Sequence, residues 1–206
     1  MLYIKNSTKP NLMKLNVKYQ ESYSRGELIL RSLFGLIYIM LPHMFVLIFV
    51  QIWASIVTFI AWWSILFTGR YPESFFEFMV GLHRWNLRIN ARFYNLSDDY
   101  PSFGIKGTDE HTSLEIEYPE SLSRGHLLLK SFFGLIYCAL PHVFVLYFRM
   151  LWGAILSFLA FWAVLFTGEY PKSWHDFNVG TLRWTTRLNL YLGFMTDDYP
   201  PFSGKE

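Results

Sequence analysis

Two long apolar stretches constrain this chain more than any other feature. Leu28 to Thr68 contains a single charge, Arg31, and Leu127 to Thr167 contains two, Lys130 and Arg149. Each stretch is 41 residues long, against the ~18 apolar residues that mark one membrane-crossing helix. As one straight helix such a stretch would run about 60 Å at 1.5 Å per residue, roughly twice the ~30 Å hydrocarbon core. Both are interrupted at the same place, by Leu41-Pro42-His43 and Leu140-Pro141-His142. Proline has no N–H to donate and its ring clashes with the preceding turn, and it disfavours the α region at the residue before it. Each stretch is therefore expected to fold back as a helical hairpin with Pro-His at its tip. Composition agrees: 52% of residues are hydrophobic and 17% charged, against about 25% charged in an ordinary soluble domain. The net charge of +2 gives no reason to expect a nucleic-acid partner, and the single Cys138 excludes an internal disulfide. Met1 to Lys18 carries four lysines with no apolar segment behind them, so a signal peptide is not expected.

The chain is a tandem duplication. Residues 19–103 align without a gap to residues 118–202 at an offset of 99, with 45 identities in 85 positions, and self-similarity at a fixed period means repeated structural units. The repeat also bears on topology. Lys and Arg fall in three zones, six in residues 1–31, seven in 69–130 and four in 169–206, and none at the two expected tips. Cytoplasmic segments collect positive charge, so all three zones want the same side. Two crossings per repeat satisfy this, giving four spans with both termini cytoplasmic. The alternative, one span per repeat after an interfacial arm, puts the middle zone outside.

Beyond each hairpin, Gly69 and Gly168 read as helix stops, and Pro72 and Pro171 as the start of a new helix. From Ser74 to Leu96, Phe75, Phe78, Met79, Leu82, Trp85, Ile89, Phe93 and Leu96 recur at three- and four-residue spacing, with Arg84 and Arg88 largely elsewhere on the wheel. Trp184, Arg183 and Arg187 take the matching places in the second repeat. Such a helix suits the headgroup layer, or else packs on protein. The expected architecture is all-α: a polar N-terminus (1–18), repeat 1 (19–103; hairpin about 26–68, amphipathic helix about 72–96), an acidic linker (104–117), repeat 2 (118–202; hairpin about 125–167, amphipathic helix about 171–195) and a tail (203–206). Within the linker and the N-terminus, His111–Tyr118 and Met13–Tyr19 alternate, with Glu where the other has Lys, which would suit pairing of two short strands.

These blocks carry a resemblance. Arg-Gly, Phe-Gly-Leu-Ile-Tyr, Pro-His, Leu-Phe-Thr-Gly-x-Tyr-Pro, an Arg-Trp helix and a closing Asp-Tyr-Pro-x-Phe resemble bacterial integral membrane proteins of domain-of-unknown-function family 4389, over nearly all of both repeats. The resemblance implies an integral membrane location and brings no established activity, cofactor or site residues. Typical members look like single copies, so this chain departs by carrying two.

Few residues suggest chemistry. His43 and His142 are equivalent candidates for a metal, but a structural zinc needs four ligands, and a polar hairpin tip explains them better. Asp98-Asp99 and Asp197-Asp198, each before Tyr-Pro, read as solvated stops and docking turns. Arg149 breaks the repeat, standing where the first copy has Val50; a charge at mid-membrane costs about 2.5–3.5 kcal/mol on insertion scales, so it either snorkels to headgroups or pairs with a partner's acid or a lipid phosphate. Trp85, Trp184, Arg84, Arg183, Arg88 and Arg187 are the other expected lipid or partner contacts. No catalytic constellation appears and no cofactor is expected. The expected role is a small structural, accessory or lipid-interacting subunit of a larger membrane assembly in the bacterial inner membrane, with membrane lipids and other subunits as partners. The alternative is a minimal transporter or channel with its pathway between the repeats.

Overall fold

A computed structural model describes residues 13–206; the first twelve residues of the expected polar N-terminus, with Lys5 and Lys9, lie outside the described residues. The elements run β1 (Met13–Val17), α1 (Arg25–Thr68), α2 (Glu73–Phe93), β2 (Thr112–Ile116), α3 (Arg124–Thr167) and α4 (Lys172–Leu192). The expected hairpins are absent: each apolar stretch forms one helix of 44 residues, so among the described residues two helices, not four, are long and apolar enough to cross a membrane.

The physical reason lies around the prolines. Leu36–Met40 and Leu135–Ala139 wind as a π turn, in which the Leu41 N–H reaches back five residues to the Leu36 carbonyl. The backbone stays right-handed throughout, with φ −55° at Gly35, −64° at Met40 and −59° at Leu41. Proline then enters in the first turn of the following α-helical segment, where it is tolerated. Further along an α-helix the Pro42 nitrogen would serve the Tyr38 carbonyl, and it has no proton to give. The Tyr100 hydroxyl donates to that carbonyl instead, at 3.0 Å, and Tyr199 does the same for Tyr137 at 3.2 Å. The tyrosine of each Asp-Asp-Tyr-Pro turn thus replaces the hydrogen bond that its own repeat's proline removes.

Each long helix buries one narrow stripe. On α1 it comprises Leu28, Arg31, Gly35, Ile39, His43, Leu47, Ala54, Val57, Ala61 and Ile65, at helical spacing. The two long helices run antiparallel and pack at both ends, the start of each against the end of the other. Arg25 donates to the Leu165 and Phe166 carbonyls, and Arg124 to that of Phe67, so each helix's terminal carbonyls are capped by the other repeat. The caps themselves are Gly69 (φ 73°) and Gly168 (φ 82°), left-handed as expected of glycine. Their carbonyls accept the N–H groups of Leu122 and Tyr23, again from the opposite repeat.

The strands pair antiparallel as their alternation suggests, with Lys14 opposite Glu115 and Leu15 opposite Leu114. The ribbon lies on α2 and α4. Arg84 donates to the Leu114 carbonyl at 2.8 Å and Arg183 to that of Leu15 at 2.9 Å, so the centre of the ribbon marks a two-fold-like relation between the repeats. The core joins the ribbon, the stripe of α1, α2 and parts of α3 and α4, with Trp85, Tyr71, Tyr170 and Met195 fully enclosed.

The replacement of the proline bond predicts a coupling. Tyr100→Phe should cost about 1 kcal/mol, the worth of one hydrogen bond, in denaturant unfolding of detergent-solubilised protein. In a Pro42→Ala background, where a backbone N–H is restored, the same change should cost clearly less. Equal costs in the two backgrounds would contradict the pairing of motifs.

Candidate functional site

His43 and His142 sit within continuous helices and not at hairpin tips, and both are fully buried. In each repeat the Trp indole N–H donates to the histidine Nδ1, Trp85 to His43 at 2.9 Å and Trp184 to His142 at 2.8 Å. Phe103 and Phe202 stack on the imidazoles with ring centroids at 3.8 Å. A neutral imidazole that accepts at Nδ1 carries its proton on Nε2, so neither nitrogen offers a free lone pair to a metal. Each histidine is enclosed by its own repeat's aromatics, and among the described residues no group of three His, Cys, Asp or Glu is placed to hold a metal ion. The arrangement pins α2 and α4 to the long helices.

It follows that Trp85 and Trp184 lie in the interior, 1% and 3% exposed, which corrects the expectation of headgroup-depth tryptophans. The helices carrying them run at 73–93 and 172–192, close to the expected limits, and the packing alternative holds for them. The arginines are spent on the protein's own backbone. Arg88 donates to the carbonyls of Ser102, Gly104 and Gly107, and burial lowers its pKa from the ordinary value. Arg187 reaches Ser203, and Arg183 also holds Gly204 and Glu206.

The acidic turns dock through their first aspartates, while Asp99 stays 44% exposed. Asp98 pairs with buried Arg31 at 3.0 Å and accepts the Ser24 N–H at the start of α1. Asp197 repeats this with Lys130 and Ser123. Beside these pairs the repeats diverge: Arg92 binds Glu27 and the Tyr38 hydroxyl, whereas Tyr191 meets Tyr137 through their hydroxyls at 2.6 Å. Arg149 neither snorkels nor awaits a partner. It donates to Thr181 Oγ1 at 2.9 Å and to the Phe177 carbonyl at 3.0 Å, with its guanidinium 4.2 Å from the Phe177 ring. The approach is so close that a Cβ on Gly180 would stand 2.9 Å from its Nη2.

Among the described residues, two features stand apart from internal packing. One is the outward apolar face of α1 and α3. The other is a cavity of about 530 Å³ between α2 and α4, where the long helices, joined at their ends, leave room in the middle. Its lining includes His83, Asn86 and Asn90 on α2, Thr185, Thr186 and Asn189 on α4, Gln51 and Thr58 on α1 and Met150 on α3. Burial holds the His83 imidazole well below its usual range, at about 4. Sequence reasoning did not find this site. Its signal was a second stripe on the amphipathic helices, polar without charge: Asn86 and Asn90 stand at the positions of Thr185 and Asn189, with His83, matched by Leu182, one turn before them.

The family profile described as "Domain of unknown function (DUF4389)" matches residues 28–104 and again residues 130–204. The chain belongs to this family and holds two copies of its domain in tandem. No curated protein and no solved structure matches it.

The indole–imidazole bond predicts unequal costs for two tryptophans. Trp85→Phe leaves the buried His43 Nδ1 without its donor and should cost about 1–3 kcal/mol in unfolding measurements. Trp62→Phe removes an exposed bond to Ser131 and should cost less than about 1 kcal/mol. Equal costs would deny the histidine a role in holding α2.

Proposed function

We propose that this family member is a membrane-seated, lipid-interacting accessory protein that carries no catalysis of its own. The supporting observation is the one-sidedness of its apolar surface. Apart from Tyr100, Phe103, Tyr199 and Phe202, every large apolar side chain exposed among the described residues lies on α1 or α3. Leu33, Leu36, Phe45 and Phe67 are 63–71% exposed, and Phe132, Leu135, Phe144 and Phe166 66–73%. Water-soluble monomers rarely expose contiguous apolar patches beyond a few hundred Å², and this face continues along both helices.

The length of the face favours an orientation. From Ile29 to Phe67 it runs about 57 Å at 1.5 Å per residue, against a hydrocarbon core of about 30 Å. A straight helix standing upright would leave nearly half of that face in water. Lying along the membrane, with the buried stripe toward α2, α4 and the ribbon, the helix pair meets lipid over its whole length, as interfacial helices do. Among the described residues, the cations of the ribbon, α2, α4 and the tail belong to the opposite, polar body, with Arg183 joining Leu15 to Glu206. By the positive-inside rule that body faces the cytoplasm, which keeps both ends and the linker on one side of a cytoplasmic membrane. Other subunits of a membrane assembly would meet the chain on these same two surfaces.

Two measurements test this. Full-length protein should float with phosphatidylcholine–phosphatidylglycerol vesicles, and Phe45→Asp with Phe144→Asp should cut partitioning at least about tenfold, since each lost phenylalanine burial is worth ~1.5–3 kcal/mol. Tags in the linker and at the C-terminus should both report the cytoplasmic side. A wild-type chain that stays monomeric in water without detergent, or a linker tag labelled from outside, would overturn the reading.

A further inference from the structure

The cavity between α2 and α4 has a lining that selects a chemical class. None of its lining residues is Asp, Glu, Lys or Arg, so a phosphate or an ammonium entering it would be a desolvated charge without a partner, which is strongly unfavourable. Its threonine hydroxyl protons are already used. Thr58 donates to the Ala54 carbonyl at 2.8 Å, Thr185 to Thr181 at 2.6 Å and Thr186 to Leu182 at 2.8 Å. Asn86 and Asn90 likewise each spend an amide proton on the carbonyl four residues back. The lining therefore offers threonine and amide oxygen lone pairs beside spare amide N–H donors, with no charge among them, a set that suits hydroxyl groups, which both donate and accept. His83, neutral above about pH 4, adds one donor and one acceptor, a match for a hydroxyl group.

The volume, about 530 Å³, falls within the ~300–1,000 Å³ of ligand clefts. The position is equally telling. Gln51 and Met150, at the edge of the cavity, are exposed residues of the two long helices, and Ile52 and Leu151 beside them are 58% and 47% exposed. A molecule with its polar part among Asn86, Asn90 and Thr185 would have apolar surface immediately outside.

We propose that this cavity binds a neutral, hydroxyl-rich group, the sugar head of a glycolipid whose chains lie on the apolar face of α1 and α3. The proposal rests on the lipid-facing reading of those helices, and the test separates the two. Full-length protein in a non-glycosidic detergent is mixed with equal amounts of galactosyl diacylglycerol, phosphatidylglycerol and phosphatidylcholine of the same acyl chains, and the retained lipid is identified by native mass spectrometry. The wild type should retain the galactolipid in preference to both phospholipids. Asn86→Leu and Thr185→Val should each lower that preference about fivefold, the loss of one hydrogen bond, while vesicle flotation is unchanged. Should either variant misfold, Met150→Trp, which adds bulk at an exposed edge of the cavity, should give the same loss. Equal retention of all three lipids by a wild type that still floats would overturn this proposal alone, and failure to float would overturn the lipid-facing reading. Displacement of the galactolipid by free methyl galactoside at low concentration would assign the site to a free sugar and overturn its lipid form.

Discussion

A carbonyl left without its hydrogen bond organises much of this molecule. Pro42 and Pro141 each remove a donor in the middle of a 44-residue apolar helix, where lipid or protein interior would leave the orphan acceptor costly. The tyrosine hydroxyl that replaces the donor comes from a turn some sixty residues later, so satisfying the helix fixes where that turn must lie. The same turn brings its aspartate onto Arg31 or Lys130 and its phenylalanine onto the histidine ring. The π turn, the histidine stack and the buried ion pair thus form one connected device, and α2 or α4 is the strap that carries it back.

The duplication has kept this device twice and let its margins drift. Arg31 and Lys130 differ in chemistry yet pair with equivalent aspartates. Glu27 with Arg92 became His126 with Tyr191, replacing an ion pair by a hydroxyl pair. Gly153 stands where the first copy has Ala54, and a Cβ there would meet Asn178 Oδ1 at 2.7 Å, so the smaller residue makes room for an amide that binds Ser157 and Tyr170. Arg149 belongs to the same local divergence: Gly180 and Gly204 leave space for its guanidinium, whereas Ile105 fills the corresponding place beside Gly81.

The repeat, the apolar runs, the glycine stops, the amphipathic helices and even the small ribbon were legible in the residue order, because each rests on local periodicity or on matching positions. The hairpins were misread because proline was weighed by the bond it removes, and nothing local announces that Tyr100 restores that bond. The tryptophans were misplaced for a related reason. A Trp-Arg stripe on a helix has the same wheel whether it meets headgroups or a buried imidazole, and only the partner decides. Local sequence leaves Arg149 to snorkel or to pair outside the chain, because its internal partners, the Phe177 carbonyl and Thr181, lie on another helix and are reached through glycines at 180 and 204. The axial cavity escaped notice because uncharged Asn and Thr side chains are unremarkable until two helices set them face to face.

The crossing of contacts between the repeats has a consequence for how the chain comes to be made. Tyr19 bonds the Tyr170 carbonyl across 151 positions, and Arg183 reaches Leu15 across 168. The end of α1 is closed by Leu122 and Arg124, and the end of α3 by Tyr23 and Arg25. A ribosome delivers the first repeat well before its closing residues exist. During that interval α1 holds its full length of apolar surface with its C-terminal end unclosed, and β1 has no strand to pair with. Contacts of such long separation form late, since loop closure must precede their reward, and species waiting in that state are prone to misassembly. On the lipid-facing reading proposed above, synthesis beside a bilayer would give the half-made chain somewhere to rest its exposed helix until the second copy arrives to complete it.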